Sequence, residues 1–146
     1  MATTQQFSTF YLADRLYGIP VMRVQEVTRA LSMTRVPLAP AYVHGLINLR
    51  GQIATAIGLR DLFATKDVAP EEHMNVVCNI NGHLFSLLVD KIGDVMEVDE
   101  AEFERAPDTV PVSIKKFMSG VYKVKGDLLS IINVDQISEE IQNKKV

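Results

Sequence analysis

The strongest constraint on what this chain can fold into is an internal repeat. Leu16-Tyr17-Gly18-Ile19-Pro20-Val21, with Val24, Glu26 and Val27 behind it, recurs 68 residues later as Leu84-Phe85-Ser86-Leu87-Leu88-Val89, followed by Ile92, Asp94 and Val95. Val36-Pro37 stands before Gly45 as Val110-Pro111 stands before Gly120. The block Gly45-Leu46-Ile47-Asn48-Leu49-Arg50-Gly51 then matches Gly120-Val121-Tyr122-Lys123-Val124-Lys125-Gly126 at an offset of 75. Three blocks in the same order argue for one unit used twice. The second copy is longer by seven residues (75 − 68 = 7), which fit the polar stretch from Glu97 to Thr109. A unit of roughly 65 residues lies near the lower limit for an independent hydrophobic core. The copies are therefore expected to pack on one another, with a groove for another protein's helix at the rim of their interface.

The local pattern is that of strands. Alternation or β-branched and aromatic enrichment marks 7–12, 16–21, 46–49 and 53–57 in the first copy, and 74–80, 84–89, 121–124 and 128–134 in the second. Asn81-Gly82 is the strongest hairpin signal, because a type I′ turn needs positive φ at both central residues. Arg50-Gly51 and Lys125-Gly126 are weaker versions, since only the glycine adopts that angle without strain. Helices are short: one or two turns at 59–63, and an amphipathic C-terminal helix over about 135–142, where Val134, Ile137 and Ile141 share a face before Asn143 to Val146 fray. The expectation is an all-β chain with short helices. It forms one domain over 1–146, divided into a first barrel at about 14–66 and a second at 72–134, with strand 7–12 joining either.

Several function classes are disfavoured. The net charge of −3 gathers no basic stripe, Lys115-Lys116 being the nearest to one, so nucleic acid is not an expected partner. No leader pattern and no apolar run of about 18 residues is seen, so direct membrane insertion is not expected either. The lone Cys78 fits a reducing cytoplasm, and alternation places it with Val76 and Ile80 as a buried structural thiol. His44, His73 and His83 stand in separate segments without carboxylates or cysteine at ligand spacing. His83 follows a turn and His73 follows the polar Glu71-Glu72 pair, so no catalytic residue, metal or cofactor is expected. Asp90, Asp94, Asp99 and Glu100 do not follow a calcium-loop spacing and read as a solvated edge.

Tyr17-Gly18-Ile19-Pro20, Val24-Gln25-Glu26-Val27, Val36-Pro37 with Pro40, and Gly45-Leu46-Ile47-Asn48-Leu49-Arg50-Gly51 together resemble the CheW family of chemotaxis coupling proteins. Leu88-Val89-Asp90-Lys91-Ile92-Gly93-Asp94-Val95 and Gly120 to Val134 resemble the family's second half, so the resemblance runs from about Phe7 to Ile141. It implies two five-stranded SH3-like barrels on a shared hydrophobic core. It also implies a cytoplasmic, non-catalytic adaptor that bridges chemoreceptor tips to the chemotaxis histidine kinase, whose regulatory domain shares the fold. A coupler for a related receptor–kinase pathway such as twitching motility is the alternative, and a small-ligand sensor a remoter one.

The resemblance carries partner-binding roles onto Arg50, Glu26, Val24, Gly45, Val76 and Val95. Each also has a structural reading. Arg50 beside Gly51 is either an interface anchor or a solvated turn residue. Glu26 is either a contact or a surface charge. Val24, Val76 and Val95 lie in apolar surroundings that suit a core equally, and Gly45 can simply hold a backbone angle, as Gly120 does at the matching place. One departure stands out: the family usually has proline and aspartate late in the strand after Asn-Leu-Arg-Gly, where this chain has Ala56 and Gly58. Gly58 removes a carboxylate that could cap the next helix.

Overall fold

A computed structural model describes residues 3–29, 31–64 and 73–143. The Glu71-Glu72 pair and the tail beyond residue 143 lie outside the described residues. The first repeat supplies β1 (Thr4–Leu12), β2 (Arg15–Pro20), β3 (Val24–Arg29), β4 (Val43–Leu49), β5 (Gln52–Gly58) and the short helix α1 (Leu59–Leu62). The second supplies β6 (Met74–Ile80), β7 (His83–Val89), β8 (Lys91–Asp99), a further short helix α2 (Val112–Lys115), β9 (Met118–Val124), β10 (Asp127–Ile132) and α3 (Val134–Asn143). The offset of 75 carries β4 onto β9 end to end, and each copy closes with a helix.

The sheets do not follow the order of the sequence. One has the strand order β8-β1-β2-β10-β9 and the other β3-β6-β7-β5-β4. Each sheet thus takes its central hairpin from one repeat and its other three strands from the other repeat. The expected division into 14–66 and 72–134 is corrected accordingly: β2 belongs with β8–β10, and β6–β7 belong with β3–β5. Strand β1, left open between the two, joins the sheet of β2. The physical reason is that the repeats carry equivalent strands, so sequence likeness cannot distinguish pairing within a copy from pairing across copies. The seams between repeats include two parallel pairs, β2 with β10 and β5 with β7.

Central position explains the composition of the exchanged hairpins. Strands covered on both faces read as nearly continuous apolar runs. In β1 and β2, Phe7 and Leu16 face one interior with Val98, Tyr122, Leu129 and Ile131. Phe10, Leu12, Tyr17 and Ile19 turn the other way, into a larger cluster shared with Val76, Cys78, Ile80, Phe85, Leu87 and the helices. The second interior holds Ile47, Leu49, Ala54, Ala56, Val77 and Leu88. An aromatic run, Phe10–Tyr17–Phe63–Phe117, crosses the shared cluster with ring centroids 5.7, 5.6 and 5.9 Å apart. Buried Asn75 and Ser86 face one sheet's interior as a satisfied pair. The Ser86 hydroxyl donates to Asn75 Oδ1 at 2.8 Å, and Asn75 Nδ2 donates to the Arg29 carbonyl at 2.9 Å.

Each sheet closes on itself by the same device. Beyond β3 the chain comes round to β4, the opposite edge, where Thr34 and Leu46 exchange two backbone hydrogen bonds of 2.9 and 2.8 Å. Beyond β8, Glu104 and Val121 exchange an equivalent pair of 2.9 and 2.8 Å on β9. Gly45 and Gly120 immediately precede the bridged residues. A Cβ on Gly45 would meet the Thr34 carbonyl oxygen at 2.7 Å, and one on Gly120 the Glu104 carbonyl oxygen at 2.6 Å. The repeated glycine is a closure residue.

Among the described residues, four tight turns have positive φ at both central positions: Ala13-Asp14, Arg50-Gly51, Asn81-Gly82 and Lys125-Gly126. Arg50 and Lys125, at φ 50° and 41°, therefore accept the left-handed angle that the sequence made the weak point of their turns. Asn48 Oδ1 and Asn79 Oδ1 help by accepting the Gly51 and Gly82 N–H groups at 2.9 and 3.1 Å.

Candidate functional site

The β4–β5 turn projects Arg50 into solvent, its side chain 76% exposed. Its Nη2 donates to Glu26 Oε1 at 2.8 Å, and the Glu26 side chain is only 21% exposed. These residues stand near opposite edges of a five-stranded sheet. Four strand spacings of about 4.8 Å would hold the edges of a flat sheet roughly 19 Å apart. The contact exists because the sheet curls. Two residues chosen separately from the sequence thus form one unit: a carboxylate anchored on β3 holding an arginine that presents its remaining donors to solvent.

Val24 lies on β3 two residues before Glu26, half-buried against the shared core and opposite Cys78. Val95 is 60% exposed on β8, an edge strand of the other sheet, so the core reading does not hold for it. Val76 is 2% exposed within the shared core. A direct partner contact there is corrected, because its side chain points inward at the β3–β6 seam. Gly45 is buried under Thr34, so its place is in closure and not on a docking surface.

Sequence reasoning passed over Val27, which is 38% exposed beside Glu26. The signal was present, since the offset of 68 maps Val27 onto Val95. Leu38 and Val112, each next after a Val-Pro pair, are likewise both exposed. Exposure at these positions is duplicated along with the fold, and so are the signs of the two charges, but the ion pair is not. Lys125 and Asp94, the counterparts of Arg50 and Glu26, form no ion pair with each other among the described residues.

A groove of about 580 Å³ is lined by Val36, Pro37, Pro40, Leu46 and Thr55 of the first repeat and by Ile141 of α3. Residues of both repeats meet there, as expected of a rim between them. No helix among the described residues is long and apolar enough to cross a membrane.

The ionisable groups elsewhere are occupied with structure. Asp90 accepts from Arg60 Nε and Nη2 at 2.9 and 2.6 Å and from the Ala13 N–H at 2.9 Å. Desolvation, the largest influence, pushes its pKa up. The Arg60 and Ala13 hydrogen bonds, with the Arg60 charge, outweigh it and hold the carboxyl below its ordinary value. Cys78 is fully buried and its thiol is pushed up to about 12 by desolvation, so it is no nucleophile. His44 Nε2 contacts Asp61 Oδ2 in the space a side chain at Gly58 would need: a Cβ there would meet His44 Nε2 at 2.3 Å and Asp61 Oδ2 at 2.8 Å. The Gly58 departure is thus filled by a histidine–aspartate contact, and α1 begins without a side-chain cap. His73 Nε2 is buried with no hydrogen-bond partner, and burial together with the nearby His44 lowers its pKa.

Comparison with known proteins is consistent across sequence and structure. A model for the CheW-like domain matches residues 6–142. A chemotaxis protein CheW of Treponema pallidum is 28% identical over 144 residues, covering 94% of this chain and 85% of that protein. One of Rhizobium meliloti is 27% identical over 139 residues, covering 93% and 90%. The crystal structure of the scaffolding protein TtCheW from Thermoanaerobacter tengcongensis superimposes with a TM-score of 0.79 at 30% identity, over 89% of each chain.

Proposed function

Because the chain belongs to the CheW-like family, we propose that it is a non-catalytic chemotaxis scaffold that couples the cytoplasmic tips of chemoreceptors to the regulatory domain of the chemotaxis histidine kinase. It reaches the membrane-associated array through the receptor it binds. The observation that carries this reading is the Glu26–Arg50 pair, which holds an exposed cation at the β4–β5 hairpin tip against strand β3. An exposed arginine held in place by a carboxylate is a suitable anchor for a reversible docking site. Val24 supports that surface from below. Val95, on the equivalent strand of the other sheet, marks a second face, so the duplicated fold offers one face to each partner. The groove between loop 36–43 and Ile141 is of a size to take one face of a receptor helix. Gly45 and Val76 act on binding only by keeping β3 and β4 in place.

The test is co-sedimentation of the kinase with receptor-bearing membranes in the presence of the natural protein or its Arg50→Glu variant. The substitution places a second carboxylate beside Glu26. It is expected to weaken recruitment by roughly 10- to 100-fold, the range of a lost hot-spot arginine. Unchanged recruitment would remove Arg50 from the docking surface.

A further inference from the structure

A pocket of about 180 Å³ gathers titratable side chains from three parts of the fold around His73, the residue just before β6. His44 faces it from β4, Arg60 and Asp61 from α1, and Asp90 from just beyond β7, with Leu88 as an apolar wall. Both carboxylates are already engaged. Asp61 is in contact with His44 Nε2, and Asp90 accepts from Arg60 and from the Ala13 N–H. His73 Nε2 is buried with no hydrogen-bond partner. The pocket has this form because Gly58 carries no side chain where the His44 ring lies. His44 and Asp61 are 39% and 46% exposed, so water and protons reach it.

We infer that His73 is an acid-sensitive latch on the start of β6: its neutral ring stays in the pocket, and on taking a proton it has to leave. A neutral imidazole is tolerated there as a largely apolar ring, at the cost of one unsatisfied nitrogen. An imidazolium is not. Its charge would be desolvated without an acceptor, beside the Arg60 guanidinium and a second imidazole. His44 has Asp61 beside it to balance a proton, whereas His73 has no hydrogen-bond partner. Burial, the larger influence, and the neighbouring His44 accordingly hold the His73 pKa below its ordinary 6.5. The unfolded chain takes up this proton at about 6.5 and the folded one refuses it until lower pH. Stability from this residue is therefore full above 6.5 and is lost as the pH falls below it. The lever is short. His73 is joined to Met74, which pairs with Arg29 at the end of β3 and with Val89 at the end of β7. One residue further, Asn75 is anchored to the Arg29 carbonyl and to Ser86. Departure of the ring frees the first residue of β6 and leaves the rest of the strand in place.

The ring itself is the probe. In the natural, full-length protein the His73 imidazole is followed by NMR as the pH is lowered from 7.5, together with the backbone amides. Its midpoint is expected below 6.5, and the Met74 and Arg29 amides are expected to shift with that midpoint. A ring titrating at or above 6.5, or amides that stay fixed while it titrates, overturns the inference. His44→Gln keeps a donor for Asp61 but carries no charge, and is expected to raise the His73 midpoint toward 6.5. An unmoved midpoint overturns the part given to His44. Urea unfolding at pH 7.5 and pH 5.5 then compares the natural chain with His73→Phe, whose ring fills the same pocket and cannot be charged. The unfolding constant of the natural chain is expected to rise by up to roughly tenfold more than that of the variant, the most that one refused proton gives over a single pH unit. Equal rises overturn the inference. Should His73→Phe fail to fold, the titration in the natural chain still decides.

Discussion

Replacing Gly45 by alanine separates closure from contact. The added Cβ lies 2.7 Å from the Thr34 carbonyl oxygen and 3.2 Å from its carbon, while ordinary contact begins at 3.4 Å. Relief therefore requires the bridging segment to retreat by roughly 0.7 Å (3.4 − 2.7), since the obstacle is backbone and cannot rotate away. Such a shift takes the two closing hydrogen bonds from 2.9 and 2.8 Å to the limit of useful length. At about 0.5–1.5 kcal/mol each, their loss comes to about 1–3 kcal/mol. With a urea slope of about 1–3 kcal/mol per molar, the unfolding midpoint falls by roughly 1 M. The chain has no tryptophan, so far-UV circular dichroism is the appropriate signal. Gly120→Ala is expected to behave alike, as its Cβ meets the Glu104 carbonyl oxygen at 2.6 Å. Arg50→Ala is the control: a pair whose arginine is 76% exposed contributes less than about 1 kcal/mol, whatever its weight in binding. A Gly45→Ala protein with the natural midpoint would refute the closure role.

The remaining expectations concern the interior. Asn75→Ala strips partners from the Ser86 hydroxyl and the Arg29 carbonyl at a fully buried position, so a loss of about 2–4 kcal/mol is expected in the same urea titration. A change under about 0.5 kcal/mol would show that the pair is dispensable. The Cys78 thiol, buried and shifted to about 12, is expected to resist a thiol reagent at pH 8 until the chain unfolds. Rapid labelling of the native protein would contradict its placement. Asp90 has a pKa lowered on folding from an ordinary 3.8. Its contribution is therefore complete above that value and is lost as the pH falls below it through the folded pKa. The stability gap between the natural protein and Asp90→Asn is expected to narrow as the pH is lowered below 3.8, and a constant gap would deny the linkage.

The sequence announced the duplication, the all-β class and the C-terminal helix, because each rests on local periodicity or on likeness between segments. It showed β1, β2, β6 and β7 plainly, since these strands, covered on both faces over much of their length, carry aromatic and β-branched stretches. Strands β3 and β8 passed unlisted because edge strands alternate with charge: Glu26 and Arg29 in one, Asp94 and Glu97 in the other. Ala13-Asp14 escaped as a turn because it holds no glycine and alanine disfavours positive φ, and the loop is set by the pairing of β1 with β2. Strand exchange left no trace, since equivalent strands compete equally for either sheet. Arg50 and Glu26 were each legible, but their contact was not, because curling of the sheet brings them together. Val76 and Val95, equally apolar in sequence, parted company once one strand proved central and the other an edge.

The interleaving of the two halves also sets the order in which a growing polypeptide can acquire its shape. The sheet bearing Arg50 lacks its middle until Val89 has left the ribosome, although Arg50 itself emerged long before. The other sheet waits for Ile132, and its first hairpin must remain without neighbours for most of synthesis. A product that stops short of that point has no finished barrel bearing Val95, however many of the residues it contains. Finished sheets thus arrive late in synthesis, and a shortened product lacks at least one of the two frames on which the exposed residues are held.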